Sequence, residues 1–198
     1  MNTNINTGNA EGKTAVYRPT LSFYHANQKG TGCALRFTLH PAHDNTDGSL
    51  MLTAANQMTV GDRRGPNPTF SHFDWDGKIT VKLDFGDLAK FLQVFRGETE
   101  SLEDGKGVIH NSPSGMTKIV LRHLIEPITG YSLELYRKAR NGDESSAHFV
   151  FKNHEALGLA EAIAGSLSVI SFGIPMVIAH DTTAYKKETR EVRDAAAA

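Results

Sequence analysis

Nine histidines, one cysteine and one tryptophan are the residues of this 198-residue chain whose types could carry chemistry. In "HPAH" His40 and His43 lie three apart, a spacing that on a helix would offer two imidazoles to zinc. Pro41 breaks that helix, and no carboxylate or thiol cluster with zinc spacing accompanies the pair. His148 and His154 flank a change from strand to helix and are expected to cap or pack. A nucleophilic Cys33 would need a base and an exposed, electropositive setting, but its neighbours alternate so as to turn it inward with Leu35. No nucleophile–base pair and no paired carboxylates stand out. Neither an enzyme, a metal site nor a cofactor is therefore expected.

Two further groupings point elsewhere. "QKGTGCALRF", Gln28 to Phe37, resembles a phosphate-cradling loop at a glance. A P-loop, however, ends in Gly-Lys-Ser/Thr and opens a helix, whereas Cys33, Leu35, Phe37 and Leu39 alternate with Ala34, Arg36, Thr38 and His40 as a strand does. A lysine and two glycines thus stand at the mouth of a β-strand. There Gly30 and Gly32 would let the chain turn and let a sugar-phosphate backbone approach, with Lys29 supplying a point charge. Trp75, between Asp74 and Asp76, could either stack a base or pack at a strand entry.

The net charge of −1 conceals an uneven distribution. Residues 13–43 carry Lys13, Arg18, Lys29 and Arg36 and no acid, +4 in all. Residues 105–140 are again +4, whereas 44–104 and 141–198 are −5 and −3. Where such charges point decides what they attract. Apolar residues make up 39% and charged residues 22%, the proportions of a globular domain with a core. A single cysteine excludes an intrachain disulfide framework and fits a reducing compartment. No apolar run reaches the roughly 20 residues of a membrane helix, and "MNTNINTGNAEG" lacks the features of a signal or targeting segment. A cytoplasmic protein (host cytoplasm, if viral) without a membrane partner is expected.

Periodicity organises the chain. Strands are expected over Val16–His25, Cys33–His40, Leu50–Met58 and Lys78–Phe85. A helix follows over Asp87–Arg96, with Leu88, Phe91, Leu92 and Phe95 on one face and Gly97 as its stop. The order then recurs as strands Val108–Asn111, Thr117–Leu124, Tyr131–Lys138 and His148–Lys152. A longer helix from Asn153 to about Ser171 carries Leu157, Ala160, Ala164, Leu167 and Ile170 as its apolar stripe. Residues 1–12 read as a disordered polar arm, 13–173 as one domain and 174–198 as an extension or tail. Two ββββα units make an α+β domain, antiparallel sheets with helices packed on one side.

Alternation sorts the strands into faces. Leu21, Phe23, Ile79, Val81, Leu83, Phe85, Ile119, Leu121, Leu133 and Leu135 point to the core. Arg18, Thr20, Ser22, Tyr24, Arg36, Thr38, His40, Lys78, Thr80, Lys82, Lys118, Val120, Arg122, Ser132, Glu134, Tyr136 and Lys138 point away. The outward set mixes cations with aromatic and hydroxyl groups. Cations neutralise phosphates, and aromatic faces stack on unpaired bases at roughly 1–3 kcal/mol each. The candidate nucleic-acid-binding residues are accordingly Arg18, Tyr24, Lys29, Arg36, Lys82, Lys118, Arg122, Tyr136 and Lys138. Cations on a solvated sheet face also blunt aggregation, so a protein-binding scaffold stays open as an alternative.

These elements support a family resemblance. "KGTGCAL" is similar to the lysine-glycine signature KGKAAL of the Whirly proteins, one residue longer. "DGSLMLTAANQM" resembles that family's third strand, "FDWDGKITVKLDFGDLAKFL" its aromatic-Asp-Trp segment, fourth strand and first helix, and "VIHNSP" the stretch opening its second unit. The resemblance runs in order across about residues 14–173. It implies a single-stranded-DNA-binding protein with little sequence preference and a role in transcription. It also implies a homotetramer with helices at its centre and DNA held across sheets and between protomers. The signature's second lysine has no counterpart here, Thr31 or Gly32 standing in that region, which bears on assemblies beyond the tetramer. A narrower likeness is to the single-stranded-DNA-binding RNA polymerase cofactors of lytic podoviruses (the Schitoviridae), which would add an RNA polymerase as partner. RNA binding, as in the kinetoplastid guide-RNA-annealing proteins of similar fold, differs only in 2′-hydroxyl contacts and stays open.

Overall fold

The computed structural model describes residues 19–173 apart from 43–45, 63, 65 and 128. The N-terminal arm, the C-terminal extension, Arg18, His43 and the first residues of the expected first strand lie outside the described residues.

The first unit consists of β1 (Thr20–His25), β2 (Cys33–His40), β3 (Ser49–Asn56), β4 (Ile79–Leu83) and α1 (Phe85–Phe95). The second consists of β5 (Val108–Ser112), β6 (Gly115–Leu124), β7 (Gly130–Ala139), β8 (Glu144–Phe151) and α2 (Asn153–Phe172). Each set of four strands forms its own antiparallel sheet in sequence order, β1-β2-β3-β4 and β5-β6-β7-β8. Most neighbours in sequence pair directly through short connections that cost little entropy to close, the exception being the long link from Asn56 to Ile79 between β3 and β4. The α+β reading holds, with two four-strand-plus-helix units.

Both helices pack against one another and under the inner faces of both sheets. The core they enclose includes Leu35, Leu52, Ile79, Leu83, Leu88, Phe91, Leu121, Leu133, Phe149 and Phe151. Phe23 of β1 joins the sheets, its ring 6.2 Å from Phe149 and 5.4 Å from Phe151, and Asn56 Nδ2 donates to the Ser146 carbonyl at 2.8 Å across the same junction.

α1 starts where Asp84 caps it. The Asp84 carboxylate accepts from the Asp87 amide at 2.9 Å, and Asp87 accepts in return from the Asp84 amide at 3.1 Å, a reciprocal arrangement that satisfies two orphan donors. It ends at Arg96, with Gly97 at φ +73° turning the chain away. Asp87 is buried and also lies 3.1 Å from His110 of β5. Burial raises its carboxyl above the usual range, against the lowering effects of the Asp84 amide and His110.

Several expectations need correction. Phe85 belongs to α1, not to β4, and is 55% exposed; Asp84 caps a helix there and so ends the strand. Leu21 points toward α2 but is 38% exposed, because β1 is a sheet edge. Val120 sits on the outward face yet is buried. The chain linking α1 to β5 runs beside β6, bridging Ser101 to Arg122, and Gly107 approaches Val120 so closely that a Cβ would stand 2.8 Å from Cγ2. Within that link Leu102 is buried, while Glu103 and Asp104 adopt positive φ, 48° and 55°. Ser132 is likewise buried, hydrogen-bonded to His148 at 3.0 Å. β8 starts at Glu144, four residues before its expected beginning.

In α2 the buried row is Ala156, Leu159, Ala160, Ile163 and Ile170. Leu157, one residue and about 100° round the helix from Ala156, is exposed. By length and apolarity α2 would pass for a membrane-crossing helix, which run length alone missed because Glu155 and Glu161 interrupt it. One face is packed under the sheets, while Leu157 and Phe172 stand 65% and 88% exposed.

Candidate nucleic-acid interface

The outer faces of the two sheets hold every described candidate except Lys29, which lies on the loop joining β1 to β2. On the first sheet the outward residues form cross-strand rows. Tyr24, Ala34 and Ala55 make one, Ser22, Arg36, Thr53 and Thr80 the next, and Thr20, Thr38, Met51 and Lys82 the third. Ala34 and Ala55 face outward and are nonetheless 0% and 1% exposed. Small side chains there leave room for the segment after residue 72, whose Phe73 bridges to Gln57 beyond β3. Tyr24 meets the ring of Phe73 at 5.7 Å and that of Trp75 edge-on at 6.5 Å. The Arg36 guanidinium lies over the indole, 4.3 Å from its centroid, a cation–π contact. Neither Arg36 nor Lys82 has an ion-pair partner among the described residues. Tyr24 and Arg36 were legible as outward residues; the pairing of each with Phe73 or Trp75 was not, since the rings arrive from a segment roughly 40 residues or more along the chain.

Lys29 is exposed on a loop fastened from below. The Asn27 carboxamide accepts from the Lys29 and Thr31 amides at 3.0 and 3.1 Å. Buried Gln57 accepts from the Asn27 and Gly32 amides at 2.9 and 3.1 Å and donates to the Asn27 and Thr59 carbonyls at 3.0 Å each. Gly30, at φ +71°, makes the turn. Gly32 serves a different purpose from the expected one. A Cβ there would come within 2.2 Å of the His25 carbonyl and 2.4 Å of the Gln57 side chain, so its missing side chain admits the protein's own atoms. Beside this loop runs an open trough of about 840 Å³, with Asn27, Gln28, Asp62, Arg64 and Ser71 in its walls.

The second sheet's outer face carries the other four candidates in three rows, the Val120–Glu134–His148 row lying between those of Lys118 and Arg122. Ile109, Lys118, Tyr136 and Ser146 form one, Asn111, Met116, Lys138 and Glu144 another, and Arg122, Ser132 and Val150 a third. Lys118, Arg122, Glu134 and Tyr136 line a shallow trough of about 400 Å³. Here the cations already have partners. Arg122 lies 3.6 Å from Glu134, and Lys138 lies 3.0 Å from Glu144. Glu144 also accepts from the Tyr136 hydroxyl, which holds the phenol above its usual range, while Tyr136 and Lys138 together hold the Glu144 carboxyl below the carboxylate range. Lys118 alone of the four has no acid partner among the described residues. Glu134 and Glu144 thus decide which cations of this face have an acid partner, which reading for cations alone did not show.

Cys33 is buried, and burial pushes its thiol up to about 11, so it is a core residue and a poor nucleophile. Among the described residues no group of three or more His, Cys, Asp or Glu side chains is arranged to hold a metal. At the foot of the first sheet His25 Nε2 lies 2.7 Å from Glu155 Oε1 and its ring stacks on Phe149 at 4.2 Å, tying β1 to the start of α2.

No family model matches the chain, and no curated protein is significantly similar to it. Solved structures are. WHY1 of Arabidopsis thaliana superposes with a TM-score of 0.60 at 18% identity, covering 79% of this chain and 92% of its own. WHY3 of the same plant does so at 0.61 and 16%, covering 86% and 97%. At such identity the likeness is one of fold, and over nearly the whole length of both relatives this chain has the fold of the Whirly proteins.

Proposed function

We propose that the protein binds single-stranded DNA with little sequence preference, through the outer face of its first sheet and the Lys29 loop. The observation that carries this reading is the placing of Arg36, which has no acid partner among the described residues, against the partly exposed rings of Tyr24, Phe73 and Trp75, with Lys82 on the same face. Phosphates pair with the cations while splayed bases find aromatic surface. Base identity enters little, because every base has a stacking face. The Whirly proteins, which the chain resembles in fold and in the order of its motifs, bind single-stranded DNA, and the reading agrees with that.

The assembly is a homotetramer formed through the helices. Leu157 and Phe172 of α2 and Phe85 of α1 are more than half exposed, and association would take that apolar surface out of water. In the cell the protein serves as a transcription cofactor that holds melted promoter DNA for an RNA polymerase. That part rests on the resemblance to the podoviral cofactor Drc.

Fluorescence anisotropy of labelled oligo-dT, duplex DNA and matched RNA across a salt series tests the binding. Salt-sensitive preference for oligo-dT over duplex is expected, and no binding at low salt overturns it. Tighter binding to RNA than to DNA would turn the reading to RNA annealing. Light scattering after gel filtration reports the tetramer.

A further inference from the structure

Trp75 is the only tryptophan in the chain, and what covers it is unusual for a packed indole. One of its faces is met by the Arg36 guanidinium at 4.3 Å, with Tyr24 edge-on at 6.5 Å. Arg36 stands in an outward row with Ser22, Thr53 and Thr80 and is itself partly exposed. No carboxylate among the described residues holds it in place. The ring is thus masked by a charged side chain whose ordinary partner, an anion, is absent from the pairings it makes.

We propose that the face of Trp75 beneath Arg36 is a base-stacking subsite which the ligand itself uncovers. A backbone phosphate draws the guanidinium off the indole, and an unpaired base takes the vacated face. The inference rests on the single-stranded-nucleic-acid reading above and adds to it a subsite, an order of events and a requirement.

The exchange is favourable for a physical reason. A guanidinium over a partly exposed ring is a weaker contact than a base stacked on it. Once released, Arg36 is not left idle, because its planar fork matches phosphate oxygens bidentately. Both gains arise only when phosphate and base arrive on one strand. A free nucleoside supplies no anion to move Arg36, an abasic strand supplies no base to replace it, and duplex DNA keeps its bases stacked inside. Preference for unpaired strands then follows from two side chains, with no hydrogen bond to a base edge.

Because Trp75 is the sole indole, its emission reads the subsite directly, while anisotropy of the labelled strand reports binding in parallel. Saturating oligo-dT should quench Trp75 emission, because a base stacks directly on the indole. An abasic phosphodiester of equal length should leave that emission nearly unchanged but raise its quenching by added acrylamide, since Arg36 has moved and nothing has replaced it. Arg36→Lys, which keeps the charge and loses the planar cover, should show the raised acrylamide quenching without any strand. Trp75→Leu should weaken oligo-dT binding roughly tenfold. Oligo-dT binding with unaltered Trp75 emission would overturn the subsite while leaving DNA binding intact. Abasic-strand binding without increased acrylamide access would overturn the role of Arg36. Absence of oligo-dT binding by anisotropy would instead remove the reading on which the subsite rests.

Discussion

The outer faces of the two sheets are built to one plan and differ in what their cations touch. On the first, Arg36 lies on an indole and Lys82 has no acid partner among the described residues. On the second, Arg122 and Lys138 lie against Glu134 and Glu144, and Tyr136 is hydrogen-bonded to Glu144. A cation that already holds a carboxylate must give it up before a phosphate gains anything. Exposed ion pairs are individually weak, roughly 0–1 kcal/mol, yet they cancel the long-range field that draws a polyanion in. Formal charge along a strand is thus a poor guide to the potential its face presents.

The largest effect that would break this contrast is the loss of the first sheet's fastened loop. Gln57→Ala removes the partners of the Asn27 and Gly32 amides and should destabilise the fold by about 1–3 kcal/mol. Urea unfolding measures that, and the second sheet stays as it is. An unchanged unfolding midpoint would show the Lys29 loop to be held by other means.

Next in size is a direct comparison of faces. Arg36→Ala with Lys82→Ala should lower oligo-dT affinity roughly tenfold and flatten the log–log salt slope by about 1.4, some 0.7 for each phosphate that is no longer neutralised. Lys118→Ala with Arg122→Ala should cost less than about threefold in the same anisotropy assay. Equal losses would show the two faces to be equivalent and end the comparison.

A gain-of-function pair sharpens it. Glu134→Gln with Glu144→Gln frees Arg122, Lys138 and Tyr136, and affinity should rise about threefold with a steeper salt slope. Because Tyr136 and Lys138 hold the Glu144 carboxyl below the usual range, mild acid should not imitate the Glu144→Gln half of this change. In the Glu134→Gln background, a rise in affinity on going from neutral to the ordinary carboxylate range would mean that the contacts of Glu144 are looser than their geometry suggests.

The smallest expected effect concerns the junction of β1 with α2. Burial pushes the Glu155 carboxyl up, but the Lys152 amide and His25 together outweigh it, and the net shift is downward. A carboxylate lowered on folding contributes stability above its unfolded pKa and loses it as pH falls through the folded one. Thermal melts of wild type should therefore decline through the acid side of the carboxylate range more steeply than those of Glu155→Gln. Parallel curves would show that His25 and Glu155 add nothing to stability.

Much of the fold is legible in the residues, and for a local reason. Period-two alternation marks β2 at its observed ends, Cys33–His40, and places β6 and β7 to within about two residues. Gly97 marks the end of α1, and the expected start at Asp87 falls two residues inside the observed helix, which Asp84 caps. Errors fall where the outcome depends on neighbours far along the chain. Val120 and Leu121 alternate as a strand should, but both are buried, because the linker after α1 runs beside β6 and brings Gly107 against Val120. Leu157 belongs to an apolar helix whose inward face only the two sheets define.

The candidate site divides in the same way. Its residue types and outward positions, Tyr24, Arg36, Lys82, Lys118, Arg122, Tyr136 and Lys138, follow from the sequence, since alternation of side chains is a property of the strand itself. Which cations stay available was decided only in three dimensions. Sheet register sets Lys138 opposite Glu144 and Lys118 opposite Tyr136, and the return of Phe73 and Trp75 across β1–β3 sets Arg36 on an indole. A strand dictates which way its side chains point, but their partners come from neighbouring strands whose register depends on the whole core.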